Sequence, residues 1–198
     1  MSVSPSKTIA GSGRLILVVG PSGAGKDALI ERAKLALAYD KNFVFARRIV
    51  TREAIAEDHD TMAPDSFDKS ETQGDFLLSW RAHGLAYGLP ASLSEDLAAG
   101  RTIIANVSRG IILQAEELGF PVFVLHITAD PAILAARMAG RGRETMNEIR
   151  ARVERAAPLQ WRKAKIYEIR NEGSIDQGAI LFIEAIMKCE GSKTVPAQ

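Results

Sequence analysis

The sequence predicts an α/β fold, a parallel sheet flanked by helices, on three observations. Continuous apolar runs alternate with amphipathic stretches, the first run ends in a glycine-rich loop, and that loop leads straight into a helical pattern. Residues 14–20 (RLILVVG) are apolar up to a closing glycine, as a central strand buried on both faces must be. Residues 26–38 set Ala28, Leu29, Ala33, Leu35, Ala36 and Leu37 among charges at helical spacing. Residues 43–49 read as a second strand. From 50 to about 94 the periodicity weakens while Gly, Pro, Asp and aromatic residues accumulate, which predicts an inserted subdomain that binds something. Alternation resumes with a strand at 102–107 (TIIANV), a helix at 114–118 and a strand at 122–127 (VFVLHI). Pro131 suits the first turn of a helix running through Met138. Gly140 and Gly142 interrupt that helix, and 146–156 resume it. Residues 167–169 form the expected last strand and 179–188 the closing helix.

The chain has 198 residues, and 25 Lys and Arg against 24 Asp and Glu leave a formal charge of +1. That balance excludes a strongly basic nucleic-acid binder and an acidic disordered tail. The length suits one domain, expected over 14–190, with tails at 1–13 and 191–198. A single cysteine, Cys189, supplies neither an internal disulfide nor a thiolate zinc site, so a reducing cytoplasm is the expected compartment. No stretch approaches the ~18–20 apolar residues of a membrane span, and neither membrane nor nucleic acid is an expected partner.

Gly20-Pro21-Ser22-Gly23-Ala24-Gly25-Lys26 has the G-x-x-x-x-G-K spacing, between a strand and a helix where that pattern belongs. Glycines let the backbone turn tightly enough to aim several N–H groups at phosphates. The helix N-terminus adds its positive dipole end, and the lysine reaches the β- and γ-phosphates. Asp27 then stands where the usual pattern has a Ser or Thr hydroxyl for Mg²⁺. The strand at 102–107 also lacks the usual carboxylate and carries Asn106 instead, followed by Ser108. Two readings of Asp27 stand: a hard-oxygen ligand of Mg²⁺, or a solvated first-turn acid favoured by the helix dipole.

Arginines crowd the same half of the pattern: Arg47, Arg48, Arg52, Arg81, Arg109, Arg137, Arg141 and Arg143. Their forked donors match phosphate oxygens and offset charge during phosphoryl transfer. Arg137, Arg141 and Arg143 surround Gly140 and Gly142, which predicts a lid over about 137–145; a solvated helix end is the alternative.

The Gly20–Lys26 loop, Val50-Thr51-Arg52, Gly84-Leu85-Ala86-Tyr87-Gly88 and Arg137 through Arg143 resemble the guanylate kinase family, in that order. The resemblance implies an α/β P-loop kinase core with an inserted acceptor-binding subdomain and an arginine-rich lid. Three departures concern the acceptor. Leu78 stands where the family has a base-reading acid, Asn106-Val107-Ser108-Arg109 replaces an acidic run, and Ile55 replaces a second arginine. A leucine accepts no hydrogen bond from guanine, and a missing polar partner costs on the order of 10⁴-fold in selectivity.

Gly-Pro-Ser-Gly-Ala-Gly-Lys-Asp at 20–27, Thr51-Arg52-Glu53, residues 78–85, Tyr87-Gly88, Asn106 with Ser108-Arg109, and Arg141-Gly142-Arg143-Glu144 are similar to the ribose 1,5-bisphosphate phosphokinase family. This closer resemblance covers nearly the full length. It implies that Mg²⁺-ATP phosphorylates the 1-phosphate of ribose 1,5-bisphosphate, giving 5-phosphoribosyl 1-diphosphate (PRPP) and ADP in phosphonate degradation. On that reading Gly20 through Asp27 bind ATP, with Asp27 on Mg²⁺, and Lys26, Arg137, Arg141 and Arg143 act on the transferred group. Arg48, Arg52, Arg81, Tyr87, Ser108 and Arg109 are the expected acceptor ligands. Asn171 touches adenine, or is an ordinary turn residue. Two other functions stand beside this one: a guanylate or other small-molecule kinase, and a non-catalytic binding module of the same fold. His59, His83 and His126 have no metal-ligand spacing. His126 reads as a core histidine, His83 as a sugar or phosphate contact or a bystander, and Trp80 as pocket wall or core.

Overall fold

The structure, a computed structural model, describes residues 13–52, 59–139 and 158–191. Its centre is a five-stranded sheet in the order β2-β7-β1-β8-β9. The strands are β1 (Arg14–Val19), β2 (Phe43–Phe45), β7 (Thr102–Asn106), β8 (Val122–Thr128) and β9 (Lys165–Arg170), and every pairing is parallel. Helix α1 (Lys26–Ala36) carries the chain from β1 outward to β2, whereas β7 leads through α4 (Ile112–Glu116) the other way to β8. Connections that leave neighbouring strands in opposite directions open a crevice at their carboxyl ends, where ligands of open α/β sheets bind. The glycine-rich loop follows β1 and Ser108-Arg109 follow β7, so both motifs meet at that crevice.

Two apolar layers hold the sheet. On one face Ile16, Val18, Ile104, Leu125 and Ile127 pack against Leu29 and Ala33 of α1, Leu134 of α5 (Pro131–Ala139) and Phe182 and Ile186 of α6 (Ile175–Gly191). On the other, Leu15, Leu17, Val124 and Ile103 meet Ile112 and Ala115 of α4 and Leu93 and Leu97 of α3 (Leu93–Ala98). Strands buried on both faces lose the period-2 alternation, which is why β1 reads as one apolar run.

The insertion is a second sheet, ordered β4-β3-β6-β5, with β3 at Arg48–Val50, β4 at His59–Thr61, β5 at Phe76–Ala82 and β6 at Leu85–Pro90. One of its faces, with Leu78, Trp80 and Leu89, joins the second apolar layer of the core. Its other side carries α2 (Pro64–Gln73), whose Phe67 stacks on Phe76 at 4.5 Å.

Several local expectations shift. The single strand expected at 43–49 is two strands in two sheets. Ala46 still donates to the Ile104 carbonyl (2.9 Å), but the Arg47 guanidinium pairs with Asp60 of β4 (2.9 Å), and there the chain crosses to the second sheet. The helix expected at 114–118 begins earlier, as a 3₁₀ turn at Arg109–Ile111 running into α4. The last strand and closing helix are longer than the patterns at 167–169 and 179–188 indicate. Trp161 is 49% exposed. The helix expected at 146–156 lies outside the described residues, as do Gly140, Gly142 and most of both expected tails. Among the described residues no helix is long and apolar enough to cross a membrane.

Candidate active site

The loop at 20–26 is built to present backbone N–H groups. Gly20 has φ of 151°, and a Cβ there would lie 2.1 Å from the Ile127 carbonyl oxygen on the neighbouring β8. Gly25, the residue capping α1, has φ of 87° and faces the Asn171 side-chain nitrogen, 2.5 Å from where a Cβ would be. Neither site admits another residue without moving backbone or the Asn171 amide. Gly23 and Ala24 are buried, Ser22 is exposed at the rim, and Pro21 closes a turn by accepting from the Ala24 N–H (3.3 Å). Lys26 Nζ donates to the carbonyls of Gly20 (2.9 Å) and Pro21 (3.0 Å), folded over the loop that it serves.

Asp27 and Asn106 meet across the crevice. Asn106 ends β7, one strand over from β1, and its Nδ2 donates to Asp27 Oδ1 at 2.6 Å. An ionised carboxylate only accepts, so the amide nitrogen must face it, which leaves the Asn106 carbonyl oxygen and Asp27 Oδ2 to other partners. Hard oxygens of this kind, one of them anionic, suit Mg²⁺, which keeps most of its ligands as water and phosphate. Among the described residues no group of three or more His, Cys, Asp or Glu gathers to hold a metal.

Asn171, expected at adenine or as a plain turn residue, is 3% exposed. Its Nδ2 donates to the Ala24 carbonyl (2.8 Å), and its backbone carbonyl accepts from Arg137 Nη1 (2.9 Å). The side chain is wedged against α6, where a Cβ on Gly178 would fall 2.4 Å from Asn171 Oδ1. Asn171 therefore braces the phosphate loop, and Arg137 reaches back to the same brace. Gly178 carries no motif, so only the close approach of α6 exposes its role. Arg141 and Arg143 of the expected lid lie outside the described residues.

On the insertion, strand alternation decides which arginines face the crevice. Tyr87 pairs in register with Trp80, their rings stack at 5.4 Å, and the Arg48 guanidinium lies 6.0 Å from the Tyr87 ring centre. Trp80, 9% exposed, is thus core, with its ring against Tyr87. Arg48 is opposite His59 and Val50 opposite Thr61, so His59 shares this face. His59 is 4% exposed, and its imidazole is held below the ordinary histidine value by burial first, then by Arg52, Arg48 and Arg47. A pocket of about 400 Å³ is lined by Thr51, Arg52, Thr61, Met62, Ala63 and Pro64. His59 was absent from the expected acceptor set. What marks it is a buried imidazole among guanidiniums.

Arg81, expected as an acceptor ligand, is placed apart from the other expected acceptor residues. It sits one residue from Trp80 and so points to the opposite face, over the Phe67 ring, paired with Glu71 (2.7 Å) and Asp68 (2.9 Å) of α2. It ties α2 to the sheet and does not line the crevice. His83 occupies the exposed β5–β6 turn with φ of 53°, ahead of Gly84 at 74°, a hairpin position demanding positive φ. Leu78 pairs with Leu89 and is 1% exposed, so the position expected to read a base is filled by core.

Ser108 precedes the 3₁₀ turn after β7, and burial lowers the pKa of the Arg109 guanidinium that follows it. His126, expected in the core, lies at the carboxyl end of β8 in register with Val19 and Glu168, its Nδ1 3.8 Å from the Glu168 carboxylate. Burial lowers its pKa first and Arg109 and Lys26 repel its proton, so His126 borders the phosphate site. Cys189 is fully buried and its thiol is pushed up to about 12 by burial, which makes it inert at neutral pH.

No family model matches the chain. It is 45% identical over 186 residues to a ribose 1,5-bisphosphate phosphokinase PhnN of Acidiphilium cryptum, an alignment spanning 93% of this chain and 98% of that one. It is 54% identical over 149 residues to the phosphokinase PhnN of Rhodopseudomonas palustris, spanning 75% and 77%. A bifunctional ribose 1,5-bisphosphokinase-thymidine phosphorylase of Azorhizobium caulinodans is 44% identical over 91% of this chain, within 26% of its own length. Among solved structures, guanylate kinase from Anaplasma phagocytophilum superposes with a TM-score of 0.59 over 95% of this chain and 91% of that one, at 16% identity. That likeness carries the guanylate kinase-like P-loop fold. With near-complete alignments at 45% identity, this chain belongs to the ribose 1,5-bisphosphate phosphokinase family.

Proposed function

We propose that the chain transfers the γ-phosphoryl group of ATP to the 1-phosphate of ribose 1,5-bisphosphate, releasing PRPP and ADP, as a step of phosphonate degradation. The observation that carries this reading is a complete phosphate loop facing an acceptor side made of arginine, tyrosine and buried histidine, with Leu78 packed in the core. A substrate with two phosphates and no base needs forked cationic donors and no base-reading acid.

The acceptor oxygen belongs to a phosphate already ionised at neutral pH, so no strong general base is required. That oxygen forms a bond to the γ-phosphorus as the bond to the ADP oxygen breaks, and ADP leaves with the electron pair. The loop amides and Lys26 hold the β- and γ-phosphates. Arg48, Arg52 and Tyr87 hold the acceptor, with Ser108 and Arg109 at its border. Arg137, Arg141 and Arg143 offset charge on the group in flight, and positioning with electrostatics supplies the rate. Asp27 is the side chain that would hold a Mg²⁺ brought with the nucleotide, and the ion would offset negative charge on the phosphates. The cytoplasm, where thiols stay reduced and ATP is supplied, is the compartment for this chemistry.

A coupled ADP-release assay with Mg²⁺-ATP, comparing ribose 1,5-bisphosphate with GMP and identifying PRPP by mass, tests the reading. ADP and PRPP with the bisphosphate alone support it. Preference for GMP returns the chain to nucleotide kinases, and silence with both favours a binding module; either outcome overturns the proposal.

A further inference from the structure

We propose that Asp27 and Asn106 are an exchanged metal pair, in which the carboxylate has moved from the strand to the helix and Asn106 is the positioning residue that aims it. In P-loop sites the residue after the lysine is usually a hydroxyl and the neighbouring strand supplies the acid. Here the helix carries Asp27 and the strand carries Asn106. The two side chains are 79 residues apart in sequence and joined at 2.6 Å.

Three physical arguments support the exchange. An acid at both positions would set two like charges against each other beside an anionic nucleotide, whereas one acid and one amide keep a single negative charge. The Asn106 N–H takes one lone-pair direction of Oδ1, so the carboxylate loses its freedom to rotate and Oδ2 is presented in a set direction. Metal-ligating carboxylates are commonly held by such hydrogen bonds, and their loss weakens metal binding. Finally, β7 is paired with β1 along its whole length, Val18 opposite Asn106, so the amide is held by the central sheet. The inference rests on the Mg²⁺-ATP part of the preceding reading and not on the acceptor.

The test is the uptake of Mn²⁺ by the full chain with ATP and no acceptor, read by electron paramagnetic resonance, with thermal unfolding as a control for folding. Asp27→Ser is expected to weaken Mn²⁺ uptake about tenfold or more, and Asn106→Ala several-fold to about tenfold through loss of aim. The double variant Asp27→Ser with Asn106→Asp restores the usual hydroxyl and acid arrangement and is expected to recover most of the affinity. A merely structural role for Asn106 predicts no such rescue. Asp27→Ser binding Mn²⁺ within about twofold of the parent, or a double variant as weak as the single, overturns the exchange. A parent chain that takes up no Mn²⁺ with ATP overturns both this inference and the ATP reading, whereas a wrong acceptor leaves the measurement untouched.

Discussion

Asn171→Ala separates a loop brace from an adenine ligand, because the two roles act on different states of the protein. The Asn171 amide is 3% exposed and supplies the hydrogen bond that the side chains make to the Ala24 carbonyl, inside a loop residue with no exposure of its own. Removing the donor leaves that carbonyl dry and unpaired, at a cost of about 1–3 kcal/mol. Part is offset because Asn171 Oδ1, which has no hydrogen-bond partner among the described residues, disappears with it. A net loss of about 2 kcal/mol corresponds to about 4–8 °C in Tm for a domain of this size. Differential scanning calorimetry of the nucleotide-free protein reads it directly. Asn171→Asp keeps the volume but turns an anionic oxygen toward the carbonyl, so it is expected to lose more than the alanine. Gly178→Ala pushes the same amide from behind, because its Cβ would fall 2.4 Å from Asn171 Oδ1 and 3.0 Å from Leu29 Cδ2. An adenine ligand would instead raise KM for ATP and leave the empty protein unchanged. A nucleotide-free Tm within about 1 °C of the parent, with only the ATP KM raised, would refute the brace.

Other outcomes follow from the geometry. Leu78→Glu buries a carboxylate without a partner and is expected to destabilise by several kcal/mol, about 3 or more, without creating GMP activity, checked by urea unfolding and the coupled assay. Arg81→Ala breaks an exposed pair with Glu71 and Asp68 and is expected to cost under about 1 kcal/mol while leaving the acceptor KM unchanged; a large rise in that KM would return Arg81 to the acceptor site. For His126, burial, Arg109 and Lys26 favour the neutral imidazole in the folded chain, so the unfolded chain takes up its proton first. Stability is therefore full above the ordinary histidine value of 6.5 and falls as the pH drops below it. His59 contributes in the same direction, so His126→Gln is expected to flatten part of that slope, measured as urea midpoints from about pH 7.5 to 5.5.

The residues of the sequence alone determine the phosphate loop, the central strands and the separateness of the insertion. Gly20 through Lys26 reads as a nucleotide loop because strand, turn and helix start are adjacent in the chain, and adjacent residues fix their own backbone. Which of the expected acceptor arginines, Arg48, Arg52, Arg81 and Arg109, share one face is not legible in the same way. Arg48 and Arg81 both lie in short strands with similar neighbours, and period-2 alternation says only that each faces one side. Which side is crevice and which is α2 depends on Phe67 packing on Phe76, a contact that no local pattern announces. Leu78 reads as a missing base reader and proves to be core, since its partner Leu89 comes from the next strand. His126 reads as core from its apolar strand, yet β8 ends beside the loop, and Lys26 and Arg109 reach it through space. Asp27 and Asn106 each break a motif when read singly, and only the parallel pairing of β1 with β7 turns the two breaks into one hydrogen bond. Local chemistry sets the backbone that each segment adopts, whereas charge partners and exposure belong to whichever distant segments the core brings together.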